Sequence, residues 1–355
     1  MRRSSLVAAC SVAITLCASA VYAIDLPGFS MGEVNLKSAG PLAFAPDNVL
    51  IVGDPKAATL VAIKVDSQKV ETPSNLSLTI PDDIQVADLA VNPDTGVIYL
   101  SASQGGQGKI FRVDGDKLTP VALDKVSRAT ATLTNAPEDK VVGEGRRRGN
   151  PRDESITDLA YVDNQVIVTG RTTGEASAAV HSVAYPFQES GVAMPIEIYH
   201  AAHGRYEDDA VARVFVPFTI NGEPHLLAGF TCTPLVKFPL SAVTKPQEKA
   251  YRGTTVAELG NRNRPLDMIV YEKSGKQYLL LANSARGVMK VSTEDIERED
   301  GLTEPVRGGG VAGQQYETIE DWKGVVQLDK LNDKSAVIIT QAEGQPTVLK
   351  TVALP

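Results

Sequence analysis

The chain has 355 residues, with 43 acidic against 35 basic side chains and a formal net charge of −8. That balance argues against nucleic acid and anionic membrane surfaces as partners, because both need a positive face. A chain this long with 43% hydrophobic residues can build an ordinary core, and only 3 cysteines, two of them among the first 17 residues, leave no basis for a disulfide framework.

Residues 1–23 have the pattern of a secretory signal. Arg2 and Arg3 provide the positive start, residues 6–20 the apolar stretch, and Val21-Tyr22-Ala23 the small-residue cleavage site. The stretch is short for a membrane span and no second one follows, so the mature chain is expected in the periplasm or outside the cell, without membrane insertion. Cleavage takes the basic count from 35 to 33 against 43 acids, a formal charge of −10, and leaves Cys232 as the one remaining cysteine.

Beyond residue 23 helical periodicity is nearly absent. Short β-rich runs recur instead, separated by Gly, Asp, Asn and Pro. One unit repeats: an apolar strand, a turn, a second strand ending in small or polar residues, and a third strand. Copies begin at residues 40, 87, 157 and 264, with looser ones near Ala212 and Trp322. Repeats of this length predict an all-β fold, a β-propeller of six blades, as a single domain over residues 24–355. A seventh, degenerate blade between residues 124 and 155 is the alternative. Residues 117–123, 195–199 and 254–259 are candidate fourth strands. Only three strands fit after Trp322, so an N-terminal strand, residues 31–36, is expected to complete the last blade and close the ring.

The copies Gly40-Pro41-Leu42-Ala43-Phe44-Ala45-Pro46 and Arg264-Pro265-Leu266-Asp267-Met268-Ile269-Val270 resemble the NHL repeats and the six-bladed propellers of the SMP-30 and paraoxonase type. The resemblance implies the architecture. It names no activity, since such propellers include hydrolases, lyases and binding scaffolds. The metal-binding Glu and Asn/Asp set of SMP-30-like enzymes has no residue-by-residue counterpart here.

Three groups of residues could carry chemistry on the face where the innermost strands begin. Asp88, Asp158 and Asp267 align at the start of those strands, with Arg213 at the matching place in the fourth copy. Three carboxylates at one channel suit a hard divalent ion, Ca²⁺ or Mg²⁺, or else bond to the neighbouring blade's backbone. His200 and His203 precede the fourth copy and Cys232 sits at a later corner of it. The pattern suits Zn²⁺ or copper, or a cysteine nucleophile with His203 as its base; a buried, inert thiol is the competing reading. Arg205, Arg213 and Arg264, with Asn283 at the end of a second strand, are candidates for binding a carboxylate or phosphate, and Arg146-Arg147-Arg148 adds charge in a long loop. His181 lies in a third strand and His225 opens a second strand, and both are expected to be structural or solvent-facing.

No H-E-x-x-H, P-loop or C-x-x-C-H pattern occurs, which disfavours zincins, P-loop nucleotide enzymes and c-type cytochromes, and Gly308-Gly309-Gly310 follows a loop and opens no helix, so it is not read as a phosphate cradle. The leading expectation is an exported propeller binding a small molecule or a partner protein at the top of its channel. The alternatives are a metal-dependent, lactonase-like hydrolase or lyase, with the three aspartates near the ion and His203 as general base, and a subunit that frames a redox enzyme.

Overall fold

The computed structural model describes residues 26–355 apart from 71, 146–147, 175, 188–190, 246 and 248. The signal-like segment and Arg146-Arg147 therefore lie outside the described residues. Six sheets, antiparallel apart from the short parallel pairing of Tyr251–Arg252 with Val192–His200, stand in a ring, giving a six-bladed β-propeller. Each copy of the repeat forms one blade. The innermost strands, numbered by chain order of the blades, are Leu42–Ala45, Ile84–Val91, Asp158–Val162, Ala212–Ile220, Pro265–Lys273 and Val325–Lys330.

The hairpins follow from local chemistry. Asp47-Asn48, Asp163-Asn164 and Asn221-Gly222 all take positive φ between the first and second strands of their blades. Such left-handed pairs match the strand twist, and Asn, Asp and Gly tolerate them best. Second strands such as Val49–Asp54 are buried along their whole length, because each blade is covered on both faces.

That covering creates six separate apolar clusters, each lying between two blades. Ile51 and Leu60 of blade 1 pack with Val166 and Val168 of blade 3, and Leu50 and Val52 with Tyr99 and Ile110 of blade 2. Leu100 and Phe111 of blade 2 meet Val337 and Leu349 of blade 6. Blades 3 and 4, 4 and 5, and 5 and 6 share the remaining three clusters. The order around the ring is thus 2, 1, 3, 4, 5, 6: the second blade of the chain stands between the last and the first.

This order explains where two sequence expectations need correction. Residues 124–155 hold no seventh blade: Val126–Thr132 pairs with Thr59–Lys64 as the fourth strand of blade 1. The strand expected from residues 31–36 to complete the last blade does not go there. Ser30–Gly32 lies on the outer edge of blade 1, Met31 opposite Ser127. The ring is closed in the last blade by another strand from the N-terminal part of the chain, Ser77–Thr79, which pairs with Val348–Ala353. Its exposed-buried-exposed alternation lets Leu78 enter the cluster between blades 6 and 2. Fourth strands at Lys117–Pro120, Val192–His200 and Thr254–Leu259 match expectation.

Thr79 faces Val348 in this closing pair, while Ile80 N–H donates to Thr347 O one step along. That places 79 and 348 at a non-hydrogen-bonded position, where Cα atoms approach to roughly 4.5 Å, within the range a disulfide spans. The double variant Thr79→Cys, Val348→Cys is expected to form that bond under air and to gain about 2–4 kcal/mol of stability over its reduced form. Mass spectrometry of the unreduced digest checks the link. Recovery of both cysteines as free thiols in folded protein would rule out this closure.

Candidate functional site

Backbone irregularity shapes the mouth of the channel. The pairing register shifts between Val86 and Asp88, Ala212 and Val214, Pro265 and Asp267, and Val325 and Gln327. The bulged residues, Ala87, Arg213, Leu266 and Val326, all line a concave mouth of about 530 Å³. Arg213 is therefore offset by one residue from the aspartates: it is the counterpart of Ala87 and Leu266, not of Asp88 and Asp267.

Asp88, Asp158 and Asp267 lie below the mouth, in a second cavity of about 750 Å³, and Asp329 of blade 6 joins them. Each carboxylate accepts two backbone N–H groups, one from the residue that follows it and one from the adjacent blade. Asp88 Oδ2 takes Leu42 N–H at 2.7 Å, Asp158 Oδ2 takes Phe215 N–H at 2.6 Å, Asp267 Oδ2 takes Leu328 N–H at 2.7 Å, and Asp329 Oδ2 takes Val91 N–H at 2.7 Å. Their Oδ1 atoms take Leu89, Leu159, Met268 and Lys330 N–H. The aspartates thus stitch the seams between blades 2 and 1, 3 and 4, 5 and 6, and 6 and 2. Asp88, Asp158 and Asp267, the expected ligands of Ca²⁺ or Mg²⁺, have both oxygens engaged by backbone N–H, and among the described residues their donor atoms do not form a group of three within 4.8 Å of one another.

Burial pushes all four carboxyls up. Asp158 rises to about 7 and Asp329 to about 6. Asp88 and Asp267 rise well above the carboxylate range, first through desolvation and then through neighbouring carboxylates.

Three cations stand at the mouth above this ring: Lys56, Arg213 and Arg264. Arg213 Nη2 lies 2.7 Å from Glu154 Oε1, and Arg171 Nη2 lies 2.9 Å from Glu154 Oε2. Although burial opposes it, the two guanidiniums hold the Glu154 carboxyl below its ordinary value. Arg264 and Lys56 are exposed and have no carboxylate partner among the described residues. Asn283 and Arg205 do not join them. The buried Asn283 amide donates to Asn263 Oδ1 and accepts from Ala285 and Arg286 N–H, so it shapes a corner. Arg205 sits outside the mouth, its Nε 3.0 Å from Glu207 Oε1.

The histidines and the cysteine do meet, but at the outer rim of the seam between blades 3 and 4, not at the mouth, whose lining includes none of them. Val192–His200 turns through Ala201-Ala202-His203-Gly204 into Arg205–Glu207, with His200 opposite Arg205 and Ile198 opposite Glu207. Gly204, at φ 65, closes the turn by donating to His200 O at 2.8 Å. The two-residue alternation of strands puts Glu207 on the same face as His200. Glu207 Oε2 then holds His200 Nδ1 at 2.7 Å and its Oε1 holds His203 Nδ1 at 2.8 Å. The imidazole centroids lie 3.8 Å apart, the rings tilted by 36° to one another.

Cys232 approaches from blade 4. It and Thr233 take positive φ, 66° and 54°, at the corner before Pro234–Pro239. That conformation costs non-glycine residues about 1 kcal/mol each. Cys232 N–H donating to Asn263 O, Thr233 N–H to Phe230 O and Thr233 Oγ1 to Gly260 O, all at 2.8 Å, hold the corner. Cys232 is half-buried, so the alternative of a core thiol does not describe it. One donor atom each from His200, His203 and Cys232 lies within 4.8 Å of the other two. His200 is 3% exposed and its Nε2 has no hydrogen-bond partner; Glu258, 0% exposed, accepts from Ala202 N–H at 3.1 Å and leaves Oε1 equally unpartnered. Burial pushes the Glu258 carboxyl up to about 7. An orphaned buried polar atom ordinarily costs about 1–3 kcal/mol.

Glu207, Glu258 and Asp329 escaped the sequence reading. Glu207 had a signal in His200-x-x-His203-x-x-x-Glu207, legible only once a hairpin is assumed. Asp329 lies in the least regular copy, and Glu258 reaches the turn from another blade. His181 and His225, expected to be structural or solvent-facing, are both buried within strands; burial pushes His181 down to about 4.

No protein-family model matches the chain, and no curated protein matches it in sequence. Solved structures of similar architecture include the PQQ-bound aldose sugar dehydrogenase of Streptomyces coelicolor, 12% identical over 92% of this chain and 99% of that one, TM-score 0.34. A glucose dehydrogenase is 9% identical over 92% and 100%, TM-score 0.36, and a hypothetical protein from Leishmania major 9% over 79% and 90%, TM-score 0.40. At this level nothing about ligand or chemistry passes to this chain. The NHL and SMP-30 resemblance stands as a six-bladed architecture without a matching family.

The raised carboxyls make stability depend on pH. Asp158 binds its proton near 7 when folded against 3.8 as an ordinary aspartate, so its contribution is complete below about pH 4 and is lost as pH rises through about 7. Asp329 and Glu258 act in the same direction. His181 acts oppositely, but only below its ordinary value of 6.5. The melting temperature is therefore expected to fall as pH rises from about 5 through about 7, where the raised carboxyls outweigh His181, and to fall less in Asp158→Asn. Asp158→Ala, which abandons both N–H groups, should cost about 2 kcal/mol or more at any pH in that range. Calorimetry across the range checks both; equal slopes in wild type and Asp158→Asn would refute the shift.

Proposed function

We propose that this protein is an exported binding propeller that takes a small carboxylate- or phosphate-bearing molecule at the mouth of its central channel. The observation that carries this reading is the placing of Lys56, Arg213 and Arg264 around one concave site of about 530 Å³. The volume suits a small molecule. Guanidinium forks bind carboxylate and phosphate through paired hydrogen bonds. Arg213 is braced by Glu154, while Arg264 and Lys56 keep their charge free for a ligand. The ring below favours the same occupant: Asp158, raised to about 7, and Asp88 and Asp267, raised well above the carboxylate range, carry less charge near neutrality than ordinary aspartates, so the floor repels an anion less. An acidic side chain of a partner protein would meet the same cations.

Export rests on the signal-like pattern of residues 1–23. Among the described residues no helix is long and apolar enough to cross a membrane. The hydrolase or lyase reading depended on Asp88, Asp158 and Asp267 sharing an ion, and no observation carries it or the redox-subunit reading further.

Phosphate and citrate, at constant ionic strength, are expected to raise the melting temperature saturably, whereas neutral glucose leaves it unchanged. Arg264→Ala and Lys56→Ala should each weaken that response about tenfold, the equivalent of about 1.4 kcal/mol. Differential scanning fluorimetry backed by calorimetric titration reads both. An anion response that sodium chloride reproduces, or that neither substitution alters, would sink the reading.

A further inference from the structure

We infer that His200, His203 and Cys232 form a second site, a centre for one transition-metal ion of borderline softness, Zn²⁺ or Cu²⁺, at the outer rim between blades 3 and 4. It is independent of the channel mouth, and neither reading needs the other.

The donor set is the first argument. Two imidazoles and a thiol within 4.8 Å of one another come from two blades and two turns, so the ring's own geometry brings them together. Nitrogen with sulfur selects zinc or copper over calcium and magnesium, which prefer oxygen.

The second argument is the way the imidazoles are held. Glu207 engages both through Nδ1, at 2.7 and 2.8 Å. A carboxylate behind a histidine fixes its tautomer and ring orientation and leaves Nε2 with its lone pair for a metal. If Glu207 were merely satisfying the buried His200, the other nitrogen of that ring would need a partner as well. His200 Nε2 has none although the side chain is almost wholly buried.

Third, a further donor stands by. Glu258 grips the turn between the two histidines through Ala202 N–H and keeps Oε1 buried and unpartnered. It lies outside the three-donor group, so the protein supplies three direct ligands and leaves a position for water or a ligand, with the Glu258 carboxylate available to hydrogen-bond it. The left-handed corner at Cys232 keeps the thiol half-exposed, which gives an ion a way in.

The test is titration of the purified, metal-stripped protein with Co²⁺ as a spectroscopic probe and Zn²⁺ as competitor. One equivalent of Co²⁺ is expected to bind, with a thiolate charge-transfer band and tetrahedral visible absorption, and Zn²⁺ should displace it while Ca²⁺ does not. Cys232→Ser should remove the thiolate band, and His203→Ala should weaken binding by roughly 100-fold or more. Glu207→Gln, which alters a positioning residue, should weaken it by roughly 10–100-fold while the thiolate band of the cobalt-loaded protein is kept. Should a variant misfold, the wild type alone decides. Cys232 should react with iodoacetamide in the metal-free protein and be protected by equimolar Zn²⁺. A thiol whose alkylation Zn²⁺ does not slow, or Co²⁺ binding without a thiolate band, overturns the assignment.

Discussion

A blade of this ring is apolar on both faces, so it cannot exist outside the ring without exposing two surfaces to water. Six clusters, one at each seam, follow from that requirement. Burying such surface contributes roughly 25 cal/mol per Å² but has no direction, and by itself it would tolerate blades sliding past one another. The aspartates provide the direction. Each anchors its own strand and the next blade's strand through two N–H groups, and at four seams this fixes how far one blade sits along its neighbour.

The same stitches determine what the channel can do. Carboxylates that might have shared an ion are occupied with backbone, and their burial drives them toward the protonated form. The candidate binding groups lie elsewhere: Arg213 at a bulge that lines the mouth, and the His200, His203 and Cys232 group at the rim, where a hairpin turn and a left-handed corner from adjacent blades meet. Both places lie where regular pairing stops. There the backbone leaves side chains free of the alternation that would otherwise send them into a seam.

Strand and turn character were legible from residues 40 to 355, because period-two apolar runs and Asn, Asp and Gly at turns are local signals that tertiary context reinforces. The number of blades and the pairing of the His200-His203 turn with Cys232 could be read from the repeat, since equivalent positions in equivalent units fall on one face. The aspartates were found as a set for the same reason. Whether they held an ion or a neighbouring strand was open, as a carboxylate at that position serves either.

Only the tertiary structure decided which strand closes the ring, because a three-residue strand such as Ser77–Thr79 carries too little pattern to compete with residues 31–36. It also decided that the second blade inserts between the last and the first. Sequence order predicts neighbours only where the connection is short, and here the chain leaves blade 1 before completing it. Glu207 and Glu258 likewise emerged through contacts, one across a hairpin and one across a seam. The sequence by itself determined the kind of blade and the candidate site residues; the apolar seams and the two-donor carboxylates, which depend on what each side chain meets from another blade, decided which of those residues stand together.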